Sequence, residues 1–176
     1  MCEVALPNKE ISYVYSKEIL SKFENVIPPA VTTAIQEAIY TMDIPKLKNK
    51  LETFLLQTIG FHDMANETFY HGLILGLLAM LDNQYHITSN REAGKGRFDI
   101  QMLPLNKKLP GILIELKAGK DCNEEQLDEL AVTALKQISN RQYHVEMNAQ
   151  GVKEILQYGI AFSGKSASVK AEVRKF

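Results

Sequence analysis

The chain has 176 residues, of which 45% are hydrophobic, and its formal net charge at pH 7 is −1. This length and composition predict one well-packed domain with at most a small helical appendage. The nearly neutral charge argues against a protein held on nucleic acid by its overall charge, although it leaves room for a local basic groove.

The cysteines and the apolar segments indicate the cellular setting. Cys2 and Cys122 lie far apart and have no CxxC spacing, so neither a disulfide framework nor a zinc site is expected. The apolar run Gly72–Leu81 is too short to cross a bilayer, and the first residues lack the basic and apolar regions of a signal peptide. We therefore expect a soluble protein of the cytoplasm, without a membrane partner.

Helical patterns dominate the first half of the chain. They predict four helices: Asn8–Phe23, Pro29–Met42, Ile44–Ile59 and Ala65–Leu81. The breaker Pro28-Pro29 separates the first two helices, and Asp43 suits the N-cap of the third. The fourth is apolar on nearly all sides, which is typical of a helix packed deep in a core.

The second half of the chain changes to extended patterns. They predict five strands: Gln84–Arg91, Gly96–Leu103, Gly111–Ala118, Tyr158–Ser163 and Ser168–Val173. A loop over residues 92–96 joins the first two strands, and a loop over residues 104–110 joins the next two. One helix, Asn123–Gln142, lies between the third and fourth strands. This order predicts an α/β fold, in which a mixed sheet carries helices on its faces.

An acid and a base interrupt the apolar strand Gly111–Ala118. Glu115 and Lys117 share one face of this strand, because side chains alternate across a strand, and Ile112, Ile114 and Leu116 take the other face. If this strand pairs with the preceding one as a hairpin, Asp99 joins the same face. Buried charges must be paired or bound to metal, so such a cluster more often marks a functional site than a structural accident.

Four segments of the chain together resemble the PD-(D/E)XK nuclease superfamily, whose members share a restriction-endonuclease-like fold and act as metal-dependent phosphodiesterases. The segments are Leu6-Pro-Asn-Lys-Glu-Ile11, Phe69-Tyr-His-Gly72, Arg97-Phe-Asp99-Ile100 and Ile114-Glu-Leu-Lys117. More narrowly, the chain is similar to the nuclease-like domain found C-terminal to AAA-ATPase-like modules in bacterial proteins. The Pro-Asp pair of the superfamily name is altered, because Phe98 precedes Asp99.

The resemblance covers essentially the whole chain. It implies a restriction-endonuclease-like core over residues 61–176 and a helical extension over residues 1–60 that packs on this core. Domains of this kind begin near Leu6–Ile11, and almost nothing precedes that segment here, so we expect the ATPase-like part to be absent. The implied substrate is nucleic acid, DNA before RNA. A second copy of the chain and a separate AAA-type ATPase are candidate protein partners.

The resemblance also implies a metal site. Asp99 and Glu115 would ligate Mg²⁺ or Mn²⁺ and would therefore be catalytic. The carbonyl of Leu116 would add another oxygen, and Glu67 matches the acidic position that often completes such a site. Hard divalent ions prefer oxygen ligands of this kind and keep several waters, one of which can attack phosphorus.

The remaining site residues are basic or polar. The resemblance implies that Lys117 orients or helps to deprotonate the attacking water and stabilises charge in the transition state. Gln137 matches a polar position that is sometimes used to hold the nucleophile or the phosphate. Lys95 and Arg97 lie in a loop of glycines and bases, and a hairpin tip of this kind can touch a nucleic-acid backbone. The loop lacks the GxxxxGK[ST] pattern, so ATP binding is not supported.

Structural interpretations stand beside these roles. Glu115 and Lys117 also suit a salt-bridged, exposed face of an edge strand. Glu67 also suits the first turn of a helix, where an acid favours the helix dipole. Gln137 also fits a plain helix surface, and His71, one turn after Glu67, fits a hydrogen-bonded core histidine better than a metal ligand.

Two function classes follow. The first is a metal-dependent nuclease that hydrolyses phosphodiester bonds. The second is a catalytically silent nuclease-fold module that docks nucleic acid or a partner ATPase, which the near-neutral charge and the missing ATPase-like part both suit. A truncated remnant of a larger regulated protein is a third interpretation.

Overall fold

The computed structural model describes residues 29–58, 67–81, 84–89, 92–93, 96–97, 99–141 and 144–176. The predicted helix Asn8–Phe23 lies outside the described residues. The helices are α1 (Pro29–Tyr40), α2 (Ile44–Thr58), α3 (Glu67–Leu78), α4 (Glu124–Arg141) and α5 (His144–Ala149), and a 3₁₀ turn, Ala79–Leu81, continues α3. The four predicted helices within this part of the chain are thus present. Their ends lie within two residues of the expected ones, when the 3₁₀ turn is counted with α3.

Five strands form one mixed sheet. The strands of the chain are β1 (Tyr85–Ser89), β2 (Glu92–Ala93), β3 (Gly96–Arg97), β4 (Ile100–Pro104), β5 (Gly111–Ala118), β6 (Glu154–Ser163) and β7 (Ser166–Lys175). The order in this sheet is β1-β4-β5-β6-β7, and β2 and β3 form a separate two-stranded sheet. Strands β5 and β6 are parallel, and the other neighbours are antiparallel. Helices α4 and α5 form the crossover that this parallel pair requires.

Side-chain caps set the starts of two helices. Asp43 Oδ1 accepts a hydrogen bond from the Lys46 amide at 3.0 Å, so the predicted N-cap of α2 is confirmed. Before α4, Asn123 Oδ1 accepts from the Gln126 amide at 2.9 Å, while Gln126 Oε1 accepts from the Asn123 amide at 3.0 Å. This reciprocal capping box satisfies two backbone amides at the start of α4.

The two faces of the sheet are covered by different helices. Helices α1, α2 and α3 pack on one face in a single hydrophobic cluster that includes Ile112, Ile114 and Leu116 of β5. On the other face, Leu113 packs with Ile138 of α4 and with residues of α5 and β6. The alternation predicted for β5 is therefore confirmed, and so is the deep packing of α3, whose buried residues include Tyr70, Ile74, Leu77 and Leu78.

The predicted strand Gly96–Leu103 is wrong in one respect, because it is two strands. Strand β3 ends at Arg97 and β4 begins at Ile100, and Asp99 lies in a bend just before β4. The predicted loop over residues 92–96 is likewise corrected, since β2 and β3 form a small antiparallel hairpin in which Glu92 pairs with Arg97. In this bend the Asp99 side chain bonds to β5, as described below.

Three further differences lie in the last third of the chain. Helix α5, which was not predicted, has six residues, too few to show a period, and is held by burial of Met147. Strand β6 begins earlier than predicted, because its pairing with β5 reaches back to Ile155. Strand β7 extends to Lys175, because the β6–β7 hairpin pairs this residue with Glu154.

Candidate active site

The candidate site lies where β5 runs beyond the start of β4. The β4–β5 pairing begins with Ile100 opposite Ile114, and β5 continues from there through Ala118. In place of a backbone partner, the Leu116 amide donates to Asp99 Oδ2 at 2.7 Å. The N–H and C=O of one strand residue point to the same edge, so the Leu116 carbonyl faces the Asp99 side as well. The predicted hairpin between these strands thus brings Asp99 to β5.

Glu115 is held between the sheet and α4. Its exposure is 1%, and Gln137 Nε2 donates a hydrogen bond to Glu115 Oε1. The close approach of α4 depends on Gly159, which pairs with Glu115 across the β5–β6 ladder. A Cβ atom at Gly159 would lie 2.2 Å from the Ala131 carbonyl oxygen of α4, so glycine allows the helix backbone to rest on the sheet here.

Lys117 links two carboxylates. Its Nζ lies 3.7 Å from Glu115 Oε1 and 4.0 Å from Glu67 Oε2, and its side chain is 23% exposed. The contact with Glu67 is at the surface, where such pairs contribute less than about 1 kcal/mol. The ammonium near the buried carboxylate of Glu115 matters more, because attraction between charges grows as water is excluded.

Helix α3 supplies the remaining groups. Glu67 is its first residue, with a side chain that is 48% exposed, so it also has the first-turn position that favours the helix dipole. His71 follows one turn later, on the same face of the helix. Its Nε2 lies 3.1 Å from the carbonyl oxygen of Asp99, and sequence reasoning set this histidine aside although its spacing from Glu67 was a signal.

A comparison with family models identifies the family of this chain. The family model of the PD-(D/E)XK nuclease superfamily matches residues 65–172, more than half of the chain. The chain belongs to the PD-(D/E)XK nuclease superfamily. The matched region includes all the groups just described, and the mixed sheet with flanking helices is consistent with the restriction-endonuclease-like fold of the superfamily. A search of curated proteins finds no match to the chain.

Superfamily membership implies a nucleic-acid substrate and, typically, a divalent metal such as Mg²⁺. The donor set fits such a metal in its chemistry, because the carboxylates of Asp99 and Glu115 and the Leu116 carbonyl are hard oxygen donors on or beside the same part of β5. In the described part of the chain, no group of three or more His, Cys, Asp or Glu side chains forms a metal-binding cluster. Mg²⁺ does not need one, since it is usually bound by one or two carboxylates and several waters.

The structure brings most of the predicted PD-(D/E)XK site residues into two sets of contacts that adjoin along β5. Asp99 bonds to the Leu116 amide, while Gln137, Glu115, Lys117 and Glu67 form the second set. Lys95 lies outside the described residues, and of Arg97 the structure gives only the backbone position in β3. The interpretation of β5 as an exposed edge strand is wrong, because it is the central strand of the sheet. Gln137 is half-buried and donates a hydrogen bond to the buried Glu115, so the interpretation as a plain helix-surface residue is wrong as well.

A second group of charges lies on the outer side of α4, away from Glu115. It borders a groove of about 860 Å³ whose lining includes Glu124, Glu125, Asp128 and Lys170. The hydrogen bond from Lys170 Nζ, together with that from Ser168 Oγ, holds the pKa of Asp128 below its usual range. The charge of Asp128 is thus balanced by its neighbours, and the residue has a structural role.

Among the described residues, no helix is long and apolar enough to serve as a membrane span.

Proposed function

We propose that this PD-(D/E)XK protein is a metal-dependent nuclease that hydrolyses phosphodiester bonds of nucleic acid. The observation that carries the proposal is the contact of Asp99 with the Leu116 amide beside the buried Glu115, with the Lys117 ammonium 3.7 Å from that carboxylate. DNA is the first substrate to test, because the fold is that of restriction endonucleases, and RNA is the second. In this proposal residues 61–176 are the nuclease core and residues 1–60 a helical extension.

Asp99, Glu115 and the Leu116 carbonyl would hold Mg²⁺ or Mn²⁺, and Glu67 would assist. When bound, the ion would polarise a phosphoryl oxygen and lower the pKa of a water molecule that attacks phosphorus. The burial of Glu115 suits this role, because a carboxylate with little water around it keeps one orientation.

Lys117 and Gln137 would act beside the carboxylates. The Lys117 ammonium would orient the attacking water and stabilise negative charge on the transferring phosphoryl group. Gln137 would hold Glu115 Oε1 through its amide and so fix the carboxylate. Lys95 and Arg97, in or near the small β2–β3 hairpin, would contact the nucleic-acid backbone, which gives a local basic contact despite the near-neutral total charge.

The test is a cleavage assay on single- and double-stranded DNA and RNA with Mg²⁺ or Mn²⁺. Lys117→Ala should lower the cleavage rate by about 10²-fold or more, because a preorganised charge near the transition state is lost. Lys108→Ala is the matched control, since Lys108 is an exposed lysine of the β4–β5 loop, and it should cleave like the wild type. Equal rates for Lys117→Ala and the wild type would contradict the proposal.

A catalytically silent module is the second candidate. One observation favours it: Lys117 is shared between Glu115 and Glu67, so these charges are partly balanced without a metal ion. Such a module would dock nucleic acid or a partner AAA-type ATPase. It predicts retained binding of nucleic acid without cleavage in any of several divalent metals, whereas cleavage that is lost on Glu115→Gln would exclude it.

A further inference from the structure

The position of Asp99 depends on contacts other than strand pairing. The β4–β5 ladder begins at Ile100, and Asp99 lies in the bend before it. Its carboxylate can reach the Leu116 amide only while the backbone of this bend keeps its direction. A bend outside a ladder lacks the hydrogen bonds that hold neighbouring strand residues, so another group must fix it.

His71 provides such a contact. Its Nε2 lies 3.1 Å from the Asp99 carbonyl oxygen. A carbonyl oxygen only accepts hydrogen bonds, so the proton of this contact is carried by Nε2 and His71 is the donor. The same residue, Asp99, is therefore bonded twice: its carboxylate to β5 and its carbonyl to α3.

The helix that carries His71 is itself fixed to the sheet. Tyr70, the preceding residue, stacks on Phe162 of β6 with the ring centroids 4.5 Å apart. Its hydroxyl donates to the Gly164 carbonyl at 2.8 Å in the β6–β7 turn. A donor on a helix anchored in this way has little freedom to move, which is what a precise positioning contact requires.

We propose that His71 is a positioning residue, which holds the Asp99 bend so that the Asp99 carboxylate can serve the metal site. This inference rests on the proposed function. His71 would act through the Asp99 backbone and would touch neither the metal nor the phosphate. Glu67 lies on the same face of α3 as His71. The contact of His71 with Asp99 therefore also fixes the position of Glu67 relative to Asp99.

The experiment compares four proteins: the wild type, His71→Met, His71→Gln and His86→Gln. His71→Met removes the donor at similar volume, and His71→Gln keeps an amide donor at a similar reach. His86→Gln is the matched control, because His86 is an exposed histidine of β1. Mn²⁺ alone is the probe, with its affinity measured by calorimetry, and thermal unfolding without metal checks that each variant folds.

We expect His71→Met to weaken Mn²⁺ binding by about 10- to 100-fold, the usual effect of removing a group that orients a metal ligand. His71→Gln and His86→Gln should bind nearly as the wild type does. Equal binding by His71→Met and the wild type would overturn the inference. An equal loss in His71→Met and His71→Gln would also overturn it, since the imidazole itself would then be a ligand.

Hydrogen exchange without metal separates this inference from the proposed function. In His71→Met the Leu116 amide should exchange faster relative to the Ile114 amide, which lies within the β4–β5 ladder, because the Asp99 carboxylate no longer stays on it. An unchanged ratio of the two exchange rates overturns the role of His71. A wild type that binds no Mn²⁺ while this ratio does change contradicts only the metal site and its nuclease function.

Discussion

At the scale of a single residue, the burial of the Glu115 carboxylate costs folding free energy, because a side chain that is 1% exposed has lost most of its hydration. The Gln137 amide and the Lys117 ammonium both lie at its Oε1 and offset part of this cost. A hydrogen bond to a charged group contributes about 1.5–3 kcal/mol to the free energy of unfolding. The same partners keep the carboxylate in one place, so stability and the proposed function depend on the same contacts.

Gln137→Ala tests this dependence. Removing the amide should lower the free energy of unfolding by about 1.5–3 kcal/mol without metal. In saturating Mn²⁺ the loss should be smaller, because the bound ion then gives the Glu115 carboxylate a partner in place of the missing amide donor. Chemical denaturation with and without Mn²⁺ measures both values.

Gln150→Ala is the control for this variant, since Gln150 is an exposed residue just after α5. It should unfold like the wild type in both conditions. A free energy of unfolding for Gln137→Ala equal to that of the wild type would contradict the contribution assigned to the hydrogen bond.

At the scale of elements, the distance between α4 and the sheet decides whether Gln137 can reach Glu115. Gly159 sets this distance, because a Cβ atom there would lie 2.2 Å from the Ala131 carbonyl oxygen and 2.4 Å from the Leu135 amide nitrogen. Both are backbone atoms, so the strain cannot be relieved by turning a side chain. The helix as a whole would have to move.

Gly159→Ala should therefore lower the free energy of unfolding by about 1–3 kcal/mol or more, the range found for overpacked cores. It should also lower cleavage, because displacement of α4 draws Gln137 away from Glu115. Gly72→Ala is the matched control: it lies in α3 with no atom within 4 Å of its added Cβ. That variant should keep its stability or gain about 0.5–1 kcal/mol, since alanine is the better helix residue.

Denaturant unfolding of both glycine variants, with cleavage measured on the same preparations, checks this prediction. Equal stability of Gly159→Ala and the wild type would show that α4 does not rest on the sheet as described.

At the scale of the whole molecule, much of the fold follows from local pattern. The sequence of Gly111–Ala118 predicted both the strand and its two faces, because side chains alternate between the two faces of a strand and this alternation can be followed in the sequence. The bend at Asp99 did not follow, since its side chain bonds to a residue 17 positions further along the chain. The β2–β3 hairpin did not follow either, because strands of two residues are too short to show an alternation. Helix α5 is too short to show a helical repeat of apolar residues, and it is held in place by the burial of Met147, which the sequence does not show.

The candidate site was predicted to a similar degree. Glu115 and Lys117 were found because charges in an apolar strand are conspicuous, and Asp99 followed from the expected hairpin. Glu67 was assigned only through the family resemblance. The contact of His71 with Asp99 was not predicted. The acceptor is a backbone carbonyl, which every residue has, so the residue type at position 99 does not indicate this hydrogen bond. Gln137 shows the same limit: its place at the border of the α4 stripe suited both a surface and a site, and the helix-to-sheet distance decided between them.

The central claim is that Asp99 and Glu115 form a metal site, and calorimetric titration with Mn²⁺ of the wild type, Glu115→Gln and Glu129→Gln tests it most directly. Glu129 lies on the outer groove of α4, so its variant controls for Mn²⁺ held there. We expect the wild type and Glu129→Gln to bind Mn²⁺ alike, and Glu115→Gln to lose binding together with cleavage. Mn²⁺ binding that Glu115→Gln leaves unchanged, or that the wild type lacks, would contradict the account.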